Sequence, residues 1–369
     1  MGKKNLNICR PDYGRCIANL ACSVLKYYGL TPPNATLPEA DALLQKSYRN
    51  VVLLLLDGMG MNILQKHLQP DGFLRRNLRF EYLSTFPPTT VAATTAVTSG
   101  LFPNQSAWLG WVGYFPELDR NIVYFLNKDN DTKEKIDGFH AAFTCLPYEM
   151  ITDRIRETGA EGHFVASFRP PMPDSYDRFC CEIERLCSLD GRKFIYAYWD
   201  DPDHTMHPRG TEDRQITALL ADLEKRTERM AESLQDTLLL ITADHGMMEA
   251  ECVEWTDHPD LLECLVRPPS IESRAVNLFV KEELRERFES TFRERFGESF
   301  LLMTKEQVLA QQILGTGADH VKLDAMLGDY LAVAVGRYAL RMENKGYKGE
   351  HAGMTEEEML IPLIVVEKE

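Results

Sequence analysis

Apolar residues along this chain fall into two textures. Short unbroken runs, such as Val51–Leu56 in "NVVLLLLDGMG", predict strands buried on both faces. The same kind of run recurs in "GHFVASF", "RKFIYAYWD" and "DTLLLITADHG". Between the last two, "TEDRQITALLADLEKRTERMAESL" sets Ile216, Leu219, Leu220 and Leu223 on one face of a helix. The stretch Arg15–Tyr28 predicts another helix, and "TPPNATLP" a loop. Strands alternating with helices predict an α/β fold with a mostly parallel central sheet flanked by helices. In such sheets ligands bind at the carboxyl ends of the strands.

The texture changes from about Val253 to Leu323. There "RAVNLFV", the charged helix "KEELRERFESTFRERF", "SFLLM" and "KEQVLAQQIL" predict a small inserted α+β subdomain, residues 253–323. Residues 1–252 and 324–369 are then the core, which closes through "LGDYLAVAV" and a final strand in "EHAGMTEEEMLIPLIVVE". The stretch "STFPPTTVAATTAVTSG", Ser84–Gly100, holds six threonines and no charge. Pro87 and Pro88 keep the chain extended, Thr89 is placed to cap a helix and Gly100 to end it. Small side chains let that helix lie close to a sheet, and its N-terminus suits an anion.

Charge narrows the field. A net charge of −15 argues against a nucleic-acid or acidic-membrane surface, so an anionic substrate requires a local cation. The longest aliphatic run is far too short to span a membrane. The opening "MGKKNLNICRPDYG" has no apolar run after its lysines, from which no leader is expected. Nine cysteines without a regular framework predict reduced thiols and a cytoplasmic location.

Acids and histidines follow the predicted strand ends. They are Asp57 in "LLLDGMG", Asp203 and His207 in "DDPDHTMH", Asp244 and His245 in "LITADHGM", and His351 in "GEHAGM". Gathering carboxylates and imidazoles at a sheet edge is costly unless something pairs with them. Carboxylate and imidazole donors without thiolate fit two divalent cations, Zn²⁺ first and Mn²⁺ second.

These motifs, in this order, resemble the alkaline phosphatase superfamily, and within it the type I phosphodiesterase and nucleotide pyrophosphatase family. The resemblance runs through the Asp-Gly strand, "FPPTTVAATTAVTSGLFP", "PDHTMH", "ADHGM" and "HAGMTEEEMLIPLIV". It implies a two-zinc site at the carboxyl edge of the sheet and a nucleophilic threonine at Thr90. It further implies Asp57, Thr90, Asp244 and His245 around one zinc, and Asp203, His207 and His351 around the other. The implied chemistry is hydrolysis of phosphodiester or pyrophosphate bonds through a phospho-threonine intermediate, with a small-molecule phosphate ester as substrate.

Two positions depart from the family pattern. Trp111 stands where an asparagine donor to phosphate is expected, and Val91 where an aromatic residue often follows the nucleophile. The phosphate donor is therefore unassigned. Trp108 and Trp111, with Phe102, Tyr114 and Phe115, are candidates for an apolar substrate wall, and no Lys or Arg lies between Phe80 and Arg120. Two alternatives stay open: a phosphomonoesterase on the same site, and a non-catalytic metal- or ligand-binding relative. A sulfatase lacks its CxPxR motif here, and a phosphomutase of the phosphoglycerate type is expected to carry Ser in place of Thr90.

Overall fold

The computed structural model describes residues 7–369. Residues 1–6, part of the stretch in which no leader is expected, lie outside the described residues. The central sheet has six strands: β1 (Asn50–Leu56), β2 (Leu78–Leu83), β3 (Glu161–Ala166), β4 (Lys193–Trp199), β5 (Thr237–Thr242) and β6 (Leu360–Lys368). Their order is β2–β6–β5–β1–β4–β3. The pairs β1/β4, β1/β5 and β3/β4 are parallel, whereas β6 runs antiparallel to both β5 and β2. Every residue of β1 is buried, as its unbroken apolar run requires of a central strand covered on both faces.

Register places the chemistry. Asn50 pairs with Thr237 and Leu55 with Thr242, so continuing the ladder two residues sets Asp244 beside Asp57. On the other side Leu56 pairs with Trp199, which delivers the 200–204 turn to the same edge. The helix Arg214–Ser233 buries Ile216, Leu220, Leu223 and Met230 against the sheet, and Leu219 packs at the margin of that core. Each such side chain contributes roughly 1.5–3 kcal/mol on burial.

The threonine-rich stretch forms the helix Thr90–Ser99, packed against the helix Ile17–Tyr27. Gly100 ends it with φ 79° and returns its N–H to the Ala96 carbonyl, a left-handed cap that favours glycine. Thr89 occupies the N-cap, but its hydroxyl does not cap the helix. It donates instead to Glu272 Oε1 at 2.6 Å.

A second sheet of seven strands runs in the order Phe300–Thr304, Tyr330–Ala334, Ala275–Leu278, Ser270–Ile271, Val112–Phe115, Arg120–Val123, Lys128–Asp129. Three of these strands lie within residues 253–323; the rest come from 112–129 and 330–334. The helix Arg285–Phe296 covers this sheet with Phe288, Phe292 and Phe296, spaced four apart on one face and packed with Trp255 and Phe300.

Candidate active site

Asp57, Thr90, Asp203, His207, Asp244, His245 and His351 meet at the carboxyl edge of the central sheet. One donor atom from each of Asp57, Asp244 and His245 lies within 4.8 Å of the others, and the same holds for Asp203, His245 and His351. His245 thus stands between the two groups. His207 reaches the second through Asp203, with Nε2 at 3.4 Å from Oδ2. The His245 and His351 rings stack with centroids 3.8 Å apart.

All three imidazoles are oriented alike. Nδ1 faces a backbone carbonyl in each: Gly349 at 2.9 Å for His207, Gly246 at 2.9 Å for His245 and Pro88 at 3.1 Å for His351. A ring that donates from Nδ1 turns the Nε2 lone pair toward the carboxylates, which is how metal-binding histidines are held. On the acid side, Asp57 Oδ1, Asp203 Oδ1 and Asp244 Oδ2 are buried with no hydrogen-bond partner. Orphaned carboxylate oxygens facing imidazole lone pairs fit divalent cations.

Proton affinities show the same conflict. Burial, then the charge of Asp203, pushes the Asp57 carboxyl above its usual range, and burial with Asp57 pushes Asp244 well above. Burial opposes the charged form of His245, but Asp244 and Asp57 outweigh it and raise the imidazole to about 10. Against burial, Asp203 raises His207 to about 9. Burial and the neighbouring His245 hold His351 well below the histidine range. Cations at this edge would replace those protons.

Thr90 is the first residue of its helix and its hydroxyl enters this cluster. Oγ1 lies 3.4 Å from Asp57 Oδ2 and 3.3 Å from His245 Nε2. Because the Thr89 hydroxyl is held by Glu272, it does not occupy the free N–H groups of the helix end. Trp111 also donates its backbone N–H to Glu272, at 2.8 Å.

A cavity of about 610 Å³ opens beside Asp57, Thr90 and Asp203. Trp111 lines it; Trp108 does not. Trp108 is fully buried, donates Nε1 to the Leu146 carbonyl at 2.9 Å and backs Phe125 and Phe143, which do line the cavity. The chain reverses at Ala107, whose φ of 58° separates Trp108 from the short helix before it. Phe102 and Phe115 are likewise interior, and Tyr114 packs against Phe279 and Arg267. The remaining wall includes Tyr148, Phe164, Phe168, Tyr196, Tyr198 and Arg169.

Thr94 and Thr98 join that wall. Their hydroxyls donate back to the carbonyls of Thr90 and Thr94, both at 2.6 Å, which leaves their methyl groups for the cavity. Tyr198 donates to Asp57 Oδ2, and Ser84 donates to the Asp244 carbonyl. The two-residue alternation in "KFIYAYW" carries the signal for Tyr196 and Tyr198 on one face. Nothing local in the sequence marks Phe125, Phe143 or Phe168.

The family model of type I phosphodiesterase / nucleotide pyrophosphatase matches residues 51–267, well over half of the chain. The chain belongs to that family, a branch of the alkaline phosphatase superfamily. No curated protein matches it in sequence. Among solved structures it is similar to murine ectonucleotide pyrophosphatase / phosphodiesterase 5, an inactive threonine-to-alanine variant in complex with AMP. The TM-score is 0.63 at 15% identity, over 86% of this chain and 87% of that one. The human counterpart gives 0.64 at 16% identity, over 85% and 87%. At these identities the likeness is one of fold: a central sheet flanked by helices. Among the described residues, no helix is long and apolar enough to cross a membrane.

Proposed function

We propose that this chain hydrolyses phosphodiester or pyrophosphate bonds in small molecules, with Thr90 as nucleophile and two divalent cations, zinc first, at the sheet edge. The observation that carries this reading is the place of the Thr90 hydroxyl, at the head of its helix and within 3.4 Å of Asp57 and His245. Asp57, Asp244 and His245 would hold one cation with Thr90; Asp203, His207 and His351 the other, with His245 near both. Cations bound there would lower the pKa of the threonine hydroxyl and offset charge on the phosphoryl and leaving oxygens.

The chain's own groups do the rest. The helix N-terminus faces the non-bridging oxygens with free N–H groups and a positive dipole end, a substitute for the missing asparagine. As the bond from Thr90 Oγ1 to phosphorus forms, the bond to one ester oxygen breaks and that oxygen departs with a proton as an alcohol or phosphate. Water then attacks phosphorus, the Oγ1–P bond breaks, and Thr90 regains its proton as the phosphate monoester leaves. The threonine-to-alanine change in the inactive murine relative, and the AMP bound to it, support a threonine nucleophile and a nucleotide-like product.

The cavity supports a diester over a monoester. Trp111, Phe125, Phe143 and Phe168 offer aromatic surface to a second ester group. Arg169, its guanidinium 4.2 Å from the Phe164 ring centroid, is the one Lys or Arg on the cavity wall among the described residues, and it favours a departing group that carries a further phosphate. A cytoplasmic location belongs to the same proposal, and what supports it is nine cysteines without a regular framework. A panel of aryl phosphodiesters, nucleotide pyrophosphates and monoesters, assayed with metal-stripped and zinc-loaded protein, tests the reading. Zinc-dependent turnover of diester or pyrophosphate is expected; zinc binding with no turnover of any ester would leave a ligand-binding relative.

A further inference from the structure

We infer that the buried pair Arg274–Glu358 is a positioning device that holds the His245 and His351 loops in metal-binding geometry. The inference rests on the two-cation reading above. Both side chains have no exposed surface. Arg274 Nε and Nη2 donate to Glu358 Oε1 and Oε2 at 2.7 and 2.9 Å, a forked pairing. Its remaining donors reach the Tyr338 and Gly336 carbonyls at 2.8 and 3.0 Å and the Met248 sulfur at 2.9 Å.

Glu358 passes this anchorage on to the ligands. Oε1 accepts the Gly353 N–H at 2.6 Å, two residues past His351, and Oε2 accepts the Thr355 hydroxyl at 2.7 Å. Its backbone carbonyl accepts the Gly246 N–H at 2.8 Å, one residue past His245. One residue therefore ties down both histidine loops, and Arg274 fixes that residue to the second sheet.

Two further observations point the same way. Ala352, directly after His351, has φ 88°, a strained conformation for an alanine that persists only where its neighbours impose it. The bonds that impose it are His351 Nδ1 to the Pro88 carbonyl on one side and the Gly353 N–H to Glu358 on the other. At Gly353 a β-carbon would sit 2.6 Å from Glu358 Oε2 and 2.9 Å from Arg274 Nη2, so the loop is pressed onto the pair. A buried ion pair is poor at adding net stability, because desolvation offsets its attraction; fixing geometry is what it does well.

The test separates positioning from stability. In the double variant R274M/E358M both charges go together, so no uncompensated charge is left buried and the fold is expected to survive. Zinc is the probe, titrated into metal-stripped protein against a chromophoric chelator, with unfolding of the metal-free protein measured in parallel. The expected result is a metal-free protein that still unfolds cooperatively, less stable than wild type because the Gly353 N–H, the Thr355 hydroxyl and the Tyr338 and Gly336 carbonyls lose these partners. Zinc affinity is weakened about 10- to 100-fold at temperatures where the variant is fully folded. Wild-type zinc affinity in the folded double variant would overturn the inference. If the double variant does not fold, R274K decides: it keeps the charge but loses the fork, and weakening of about threefold or more is expected, with no change overturning the inference. Wild-type protein that takes up no zinc would instead sink the two-cation reading, and the inference with it.

Discussion

At Gly60 the segment that follows Asp57 lies against the segment that follows His245, and replacing it with alanine is a sharp probe. It comes three residues after Asp57, just past the end of β1, and its backbone, φ −62° and ψ 174°, suits any residue. Alanine there restricts the unfolded chain and on that ground alone would stabilise by about 0.4–1 kcal/mol. The added methyl, however, meets Gly246 Cα at 2.4 Å, Gly246 N at 2.9 Å and the Leu360 carbonyl at 3.1 Å, all of them backbone. Restoring ordinary contact of 3.4 Å requires the Asp57 and His245 segments to part by about 1 Å. Overpacking of this kind costs about 1–3 kcal/mol, so the net loss has a mid-range of about 1.3 kcal/mol and a ceiling of about 2.6 kcal/mol. A displacement near 1 Å between catalytic groups costs about 100-fold in rate. Gly159→Ala is the control: its φ of 86° strains an alanine, but nothing lies within 4 Å and it sits before β3, at the opposite end of the sheet. The assays are thermal unfolding and kcat on an aryl phosphodiester with zinc. Both variants should lose comparable stability while only Gly60→Ala loses activity; full activity in Gly60→Ala, or equal activity losses in both, would refute the reasoning.

Other expectations follow from the same geometry. An aryl phosphodiester should exceed its matching monoester in kcat/KM by about tenfold, a transition-state difference of about 1.4 kcal/mol, and Trp111→Ala should erode that preference because Trp111 lines the cavity; a monoester preference in the wild type would overturn the diester reading. Thr89→Ala removes a buried donor to Glu272 and should cost about 1.5–3 kcal/mol of stability, while leaving kcat within about threefold. A larger effect on rate than on stability would mean that Thr89, and not Thr90, is the reacting residue. In metal-free protein His245 and His207 are raised to about 10 and about 9, so the folded state holds protons that the unfolded state releases above about 6.5. That stabilisation is lost as pH rises through the folded values, and zinc uptake must expel those protons. The gap in Tm between zinc-loaded and metal-free protein should therefore widen from pH 7 to 9, and a flat or narrowing gap would contradict the assignment.

That the candidate donors meet at one edge was legible in the sequence, because each follows an apolar run or a glycine turn that fixes its place, and parallel register then carries Asp57 and Asp244 to one edge. The sharing of His245 between both donor groups was not legible. It depends on the His351 loop lying against His245, and that loop is tied at Gly353 to Glu358, the partner of Arg274, a residue 77 positions before His351. The cavity wall was legible only in part. Trp108 and Trp111 are three residues apart and look equivalent as sequence, yet the turn at Ala107 buries one and leaves the other 37% exposed. Phe125 follows the hairpin Val112–Val123, Phe143 sits in the short helix Ala141–Cys145 and Phe168 in the turn after β3, so three separate segments converge on the wall and no single periodic pattern groups them. The prolines and Gly100 make the threonine helix and its ends legible, while Thr94 and Thr98 line the cavity because they fall four and eight residues after Thr90 on the same side.

The most direct test of Thr90 as nucleophile is to catch the covalent intermediate. Zinc-loaded protein is mixed with excess aryl phosphodiester, quenched in acid during turnover, digested and mapped by mass spectrometry. The expected product is a peptide spanning Ser84–Gly100 that carries the phosphoryl group with its remaining ester on Thr90, and that is absent from Thr90→Ala. Turnover with an adduct on any other residue, or undiminished turnover by Thr90→Ala, would contradict the assignment.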